Sequence, residues 1–170
     1  WHAPTIGSEM NNRVTASAPG KINIFFKVGA LQADGYHEVL SIYQALDLRE
    51  SVTVSSSKTW QVSVTGALSP EQIQAVPTGE ENLVVRAAKI LASLAQLPNA
   101  HPISFEITKN VPVAGGMGGG SADAAAALLA VDELWCTGVD GEALIKSAAQ
   151  LGADIPFALI GGTAIGVGRG

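Results

Sequence analysis

The chain has 170 residues, of which 47% are hydrophobic and 15% charged, with a net charge of −5. That balance describes a well-buried globular domain, or a large piece of something longer, and it excludes a disordered chain. It leaves no basic footprint for nucleic acid or anionic lipid, and no apolar run approaches the ~20 residues of a membrane span.

Residues 1–12 lack the basic start and apolar block of a signal peptide and read as a leader or cloning remnant, with Met10 a candidate native start. From there, Arg13 to Ala18 and Ile22 to Val28 read as strands on either side of Ala18-Pro-Gly-Lys21. In the second, Ile22, Ile24, Phe26 and Val28 alternate with Asn23, Phe25 and Lys27, which predicts one buried face. Lys21 and Asn23 are polar residues at its start, where a solvated strand end is the plain alternative. Ala33-Asp-Gly35 is a turn that delivers Tyr36 and His37 into a strand from Val39 to Leu48, and surface or core filling is the plain reading of that pair. Val52 to Val54 and Gln61 to Val64 are short alternating segments, read as a hairpin or its continuation.

The period then changes. Thr78-Gly-Glu-Glu81 reads as a capping box, and Leu83, Ala87, Ile90, Leu91 and Leu94 fall on one face of a helix, with Asn82 in its first turn. Ile103, Phe105 and Ile107 alternate in a strand ending at Lys109. It runs into Val111-Pro-Val-Ala-Gly-Gly-Met-Gly-Gly-Gly-Ser121, and an alanine-rich helix follows to about Trp135. Gly115, Gly116, Gly118, Gly119 and Gly120 remove the Cβ atoms that would hold an anion off the backbone, and Ser121 stands where a helix N-cap belongs. A glycine loop opening a helix is an anion cradle, and a phosphate chain is the expected ligand. It is not a P-loop, since no lysine precedes Ser121, nor the dinucleotide fingerprint. The protein-kinase triplets are missing too. A flexible linker or packing turn is the remaining alternative. Asp140 caps a further helix from Gly141 to Gln150, and Asp154, beside Ile155 and Pro156, reads alone as another N-cap. The single Cys136 suits a reducing cytoplasm and is expected among small buried side chains. The chain reads as cut at Gly170, within or just after a strand from Thr163 to Val167. That predicts exposed apolar surface and self-association of the chain as given.

Taken together, Ala18-Pro-Gly-Lys-Ile-Asn23, Asp34-Gly-Tyr-His-Glu38, the run from Pro112 to Ala125, Gly152-Ala-Asp-Ile-Pro-Phe-Ala158 and Gly161-Gly-Thr-Ala164 resemble the GHMP kinase superfamily. The resemblance runs from about Val14 to Gly170. It implies an α+β fold, a mixed β-sheet with helices of the ribosomal protein S5 domain 2-like kind. Residues 13–170 would be the amino-terminal ATP-binding domain, with a carboxy-terminal domain absent.

By the same resemblance the activity is ATP-dependent phosphorylation of a small-molecule alcohol with Mg²⁺ in the cytoplasm, without nucleic-acid or membrane partners. The acceptor implied by Gly35-Tyr-His-Glu38 is 4-diphosphocytidyl-2-C-methyl-D-erythritol of the non-mevalonate isoprenoid pathway. A homoserine- or mevalonate-type acceptor, or a lobe that binds nucleotide without turnover, is the alternative. Gly115, Gly116 and Gly118 to Ser121 would hold the ATP phosphates, with Asn82, Leu83 and Lys109 near the nucleotide. Asp154 would be the general base, and Lys21 would hold the hydroxyl and the moving phosphoryl group. Asn23, Tyr36 and His37 would meet the substrate, Tyr36 by stacking on cytosine. No residue is assigned as a metal ligand.

Overall fold

The computed structural model describes residues 13–31, 35 and 37–169. The leader read over residues 1–12 and most of the turn at Ala33-Asp-Gly35 lie outside the described residues. The chain runs β1 (Arg13–Leu31), β2 (His37–Ser56), β3 (Gln61–Gly66), α1 (Pro70–Gln74), α2 (Leu83–Leu94), β4 (Ile103–Lys109), α3 (Gly119–Trp135), α4 (Gly141–Ala148), α5 (Ile155–Ile160) and β5 (Thr163–Arg169). The sheet is mixed, as expected. Its order is β1-β2-β4-β3, with β5 also paired to β2. β1/β2, β2/β4 and β2/β5 are antiparallel, while β3/β4 is parallel.

β2 is the spine of this arrangement. Its far half, Ser51 to Ser56, pairs with β4, and its near half, Glu38 to Gln44, pairs with β5 on that same edge. β1 runs along the other edge for its whole length, with register shifts at Pro19/Lys21, Asn23/Phe25 and Val28/Leu31. The two strands expected on either side of Pro19 are therefore one bulged strand, and Val52 to Val54 continue β2 instead of starting a hairpin. Gln61–Gly66 pairs with β4 because a parallel partner needs a long crossover, and the segment carrying α1 and α2 supplies it.

Helices cover the far half of the sheet. Val52, Val54, Ile103, Phe105 and Ile107 meet Val84, Val85, Ala87, Ala88 and Leu91 of α2 and the alanines of α3 in one buried cluster. α3 is buried almost all round, and its alanines let helix and sheet approach closely. The helix from residue 83 is present, but its N-cap is Asn82, which accepts from Val84 N at 3.0 Å, so the capping box at Thr78 does not start it. Asp140 caps α4 as expected.

Beyond Lys21 the helices no longer cover β1. Ile22, Ile24, Phe26 and Val28, expected to be buried, are exposed, as are Phe25 and Leu31. Alternation marks a strand with an apolar side but does not supply what covers it. Cys136 is likewise exposed: it is the left-handed C-cap of α3, with φ 49°, a position at the helix end and not in the core.

Candidate active site

β4 delivers Lys109 to the base of the glycine loop, where its ammonium lies 2.7 Å from Glu50 Oε1 and 2.7 Å from Asp123 Oδ2, all three side chains being buried. Glu50 also accepts the amides of Asn110 (2.9 Å) and Val111 (3.2 Å), so this carboxylate fixes the direction in which the chain leaves the sheet. The loop then turns through positive φ at Ala114, Gly116 and Gly118. Gly118, not Ser121, is the N-cap of α3, and no side chain caps it. Ala122 N makes the first helical bond, to Gly118 O at 2.8 Å. The first-turn N–H groups of Gly119, Gly120 and Ser121 are thus outside the helical ladder, at the positive end of the helix.

These residues line a cleft of 350 Å³ whose other wall is Ala75, Val76, Pro77 and Leu83. The glycines do different work. At Gly116 an added Cβ would meet nothing within 4 Å, and at Gly120 only Leu83 at 3.7 Å. At Gly119 it would come within 3.1 Å of Glu50 Oε1 and 3.2 Å of Lys109 Nζ, and at Gly118 within 3.2 Å of Lys21 Cγ. Gly119 is therefore required by the buried ions beneath the loop, and a side chain there strikes them first. Asn82 is spent on structure as well: besides capping α2, its Nδ2 donates to Pro77 O at 2.6 Å, which holds the apolar wall in place. Lys109 borders the cleft, but two carboxylates occupy its ammonium.

The triad of one cation and two carboxylates has a titratable member. Burial, reinforced by the Glu50 charge and opposed by Lys109, pushes the Asp123 carboxyl up to about 7, and its Oδ1 has no hydrogen-bond partner. With a folded pKa above the unfolded one, the native state binds the extra proton. Asp123 therefore contributes stability that is full below about pH 4 and is lost as pH rises through about 7. Asp123→Asn is expected to flatten the slope of stability against pH across that interval, as read from urea midpoints at each pH.

β1 is joined directly to the loop: Lys21 N donates to Met117 O at 2.9 Å. The Lys21 side chain then reaches two partners, Asn23 Oδ1 at 2.7 Å and Asp154 Oδ2 at 3.4 Å. Asn23 Nδ2 donates to Ser41 Oγ (2.6 Å), and Ser41 in turn donates to Phe25 O (3.1 Å), which fixes the Asn23 amide. Asp154 precedes α5 but makes no side-chain cap bond, so the plain reading of it as a helix cap fails. The structure thus brings Lys21, Asn23 and Asp154 together beside the glycine loop.

His37 is not part of that group. It is exposed at the start of β2, about 20 Å at strand spacing from Tyr43, the residue opposite Asn23 on that strand, with Nδ1 2.9 Å from Gly29 O. Tyr36 lies outside the described residues. Sequence reasoning missed Tyr43, Ser41, Glu50 and Asp123. For Glu50 the signal was available, because it holds an inward position of its strand in phase with Val52 and Val54. Lys109 does the same on β4, in phase with Ile103, Phe105 and Ile107.

The glycine-loop cleft and the Lys21–Asp154 pair beside the loop form the candidate site of this chain. Residues 82–162 match the GHMP kinases N terminal domain, and the chain belongs to that family. It is 52% identical over 157 residues to the 4-diphosphocytidyl-2-C-methyl-D-erythritol kinase of Leifsonia xyli subsp. xyli, covering 92% of this chain and 50% of that protein. To the kinase of the same name from Clavibacter michiganensis subsp. michiganensis it is 49% identical, covering 98% of this chain and 52% of that protein. Among solved structures, a 4-(cytidine 5'-diphospho)-2C-methyl-D-erythritol kinase aligns with TM-score 0.68 and 32% identity over 91% of this chain and 52% of that one. A homoserine kinase from Cytophaga hutchinsonii aligns with TM-score 0.61 at 19% identity over 91% of this chain and 44% of that one, a likeness of fold. The chain spans about half the length of the curated relatives it matches. Among the described residues, no helix is long and apolar enough to cross a membrane.

Proposed function

We propose that the full-length protein transfers the γ-phosphoryl group of ATP to the 2-hydroxyl of 4-diphosphocytidyl-2-C-methyl-D-erythritol. The observation that carries this reading is the Lys21–Asp154 pair, 3.4 Å apart, with Lys21 bonded through its backbone to Met117 of the glycine loop that floors the cleft. Gly115, Gly116 and Gly118 to Ser121 hold the phosphates with backbone amides, and Leu83 forms the apolar wall beside the nucleoside, kept in place by Asn82. Lys109 supports the loop from below. Asp154 accepts the proton of the acceptor hydroxyl as its oxygen bonds to the γ-phosphorus and the bond to ADP breaks. Lys21 offsets the negative charge that gathers there, and Asn23 steers the ammonium. His37, on the arm formed by β1 and β2, contacts the cytidine end of an extended acceptor, and so does its sequence neighbour Tyr36.

Among the described residues no cluster of three or more His, Cys, Asp and Glu side chains could hold a metal. The donor set at the cleft does fit Mg²⁺ that arrives with ATP, because this ion keeps its waters and binds mainly through substrate phosphates. Ser121 and Asp123 are the oxygen-bearing side chains at that wall. When bound, the ion neutralises phosphate charge.

The acceptor is supported by the names of the relatives at about half identity, and the cytoplasm follows from an ATP-dependent biosynthetic step. The test is ADP release by the full-length protein with MgATP and a panel of acceptors. Turnover is expected with 4-diphosphocytidyl-2-C-methyl-D-erythritol and not with homoserine or mevalonate. Turnover confined to either of the other two would overturn the acceptor, and nucleotide binding with no turnover on any would make the lobe a binding module.

A further inference from the structure

A run of three hydrogen bonds with fixed polarity leads from the interior of the sheet to the Lys21 ammonium. Ser41 is buried in β2, 1% exposed, opposite Phe26 of β1 and Gly166 of β5. Its hydroxyl has one hydrogen, and that hydrogen goes to Phe25 O at 3.1 Å. Towards Asn23 the hydroxyl is therefore left to accept, and it does so from Nδ2 at 2.6 Å. The Asn23 amide must then turn Oδ1 the other way, and Oδ1 is the atom that receives the Lys21 ammonium, at 2.7 Å. Both ends of the run agree, since a carbonyl only accepts and an ammonium only donates.

The two ends differ in freedom. Asn23 is exposed on β1, where an amide held by nothing would turn in water. Ser41 is buried, and the carbonyl it binds stands at a bulge: Asn23 faces Tyr43 and Phe25 faces Ile42, which leaves Ile24 as the extra residue. A bulge re-aims the side chains beside it, and the Ser41 bond pins this one. The Lys21 stem is flexible, so the place of its ammonium is set by what it meets. It meets Asn23 at 2.7 Å but Asp154 Oδ2 at 3.4 Å, longer than the ~2.7–2.9 Å of a charge-assisted hydrogen bond. The centroid of the Tyr43 ring is 5.4 Å from the ammonium.

We propose that Ser41 is a positioning residue for Lys21: through the Asn23 amide it holds the ammonium short of a closed ion pair with Asp154, where the cation stays available to the moving phosphoryl group. This rests on the reading of Lys21 as the charge that offsets that group. A lysine closed onto Asp154 would be neutralised by the carboxylate and would act less on the phosphoryl oxygens.

Ser41→Ala in the full-length protein removes the hydroxyl alone. Turnover is expected to fall about 3–10-fold, the size of one neutral hydrogen bond, with KM for ATP unchanged. Ser41→Cys refills the volume with a weaker donor and acceptor and should show a similar loss. The readout that a merely structural serine would not move is its coupling with Asn23. In an Asn23→Ala background the run is already broken, so adding Ser41→Ala should cost no further turnover. An equal loss in that background and in the parent, or full turnover in Ser41→Cys, would show that the serine serves only the packing of the sheet, and the inference falls. Lys21→Met is assayed alongside. If Lys21→Met loses turnover while Ser41→Ala changes only the melting temperature, the inference falls and the reading of Lys21 stands. If Lys21→Met keeps its turnover, the reading of Lys21 falls, and the inference with it.

Discussion

Asp154→Asn in the full-length protein is expected to lower turnover by about 10²–10⁴, the worth of a positioned proton acceptor, with KM for ATP nearly unchanged. Asparagine is close in shape and cannot take the proton. Stability should barely move, for two reasons drawn from the structure. The aspartate makes no cap bond to α5, so none is lost. Its ion pair with Lys21 is partly open to water, with the two side chains 29% and 11% exposed, and such a pair is worth about 1 kcal/mol or less. Steady-state kinetics beside thermal melting separates the cases. Full turnover with a lowered melting temperature would leave Asp154 a structural residue.

Lys109→Met is expected to have the largest effect on folding. The methionine fills much of the volume but leaves Glu50 and Asp123 facing each other in a dry interior without their shared cation. Breaking a buried ion pair on one side costs about 3–5 kcal/mol, a large part of the roughly 5–15 kcal/mol that holds a domain together. The loss should be greater at pH 8 than at pH 5, because Asp123 can take a proton at the lower pH. Nucleotide affinity should fall too, since Glu50 aims the first residues of the loop through the amides of Asn110 and Val111. Urea unfolding and calorimetry with ATP measure the two effects. A variant as stable as the parent at pH 8 would show that the lysine does not carry the triad.

Much of this site was legible in the sequence because its signals are local. A glycine run between a strand and an alanine helix is visible as a loop that opens a helix, and the helix at residue 83 announces itself by period. What was not legible depends on partners distant in the chain. The inward-facing side of β2 changes from Ser41 in its near half to Glu50, Val52 and Val54 in its far half, across the irregular stretch opposite Pro19 and Lys21. No single period describes such a strand, so it reads as two. Asp154 and Asn82 show the same limit from opposite sides. Each looks like an N-cap or a first-turn residue, but only Asn82 caps its helix, and the difference lies in whether a lysine from another element claims the side chain. Gly119 was read as leaving room for an anion, and beneath it lies a buried salt bridge that no local pattern reveals.

The use of β2 as a common spine also orders the assembly of the domain in time. Glu50 meets the start of the glycine loop across 60 residues of chain, whereas Gln44 meets Thr163 of β5 across 119. Closing the longer loop adds only modest entropy, but contacts between distant residues form slowly, and a ribosome delivers the amino-terminal partners first. A nascent chain can therefore join β1, β2 and β4 and shape the phosphate cradle while α5 and β5 are still being made. Asp154 then joins Lys21 beside a glycine loop that is already in place.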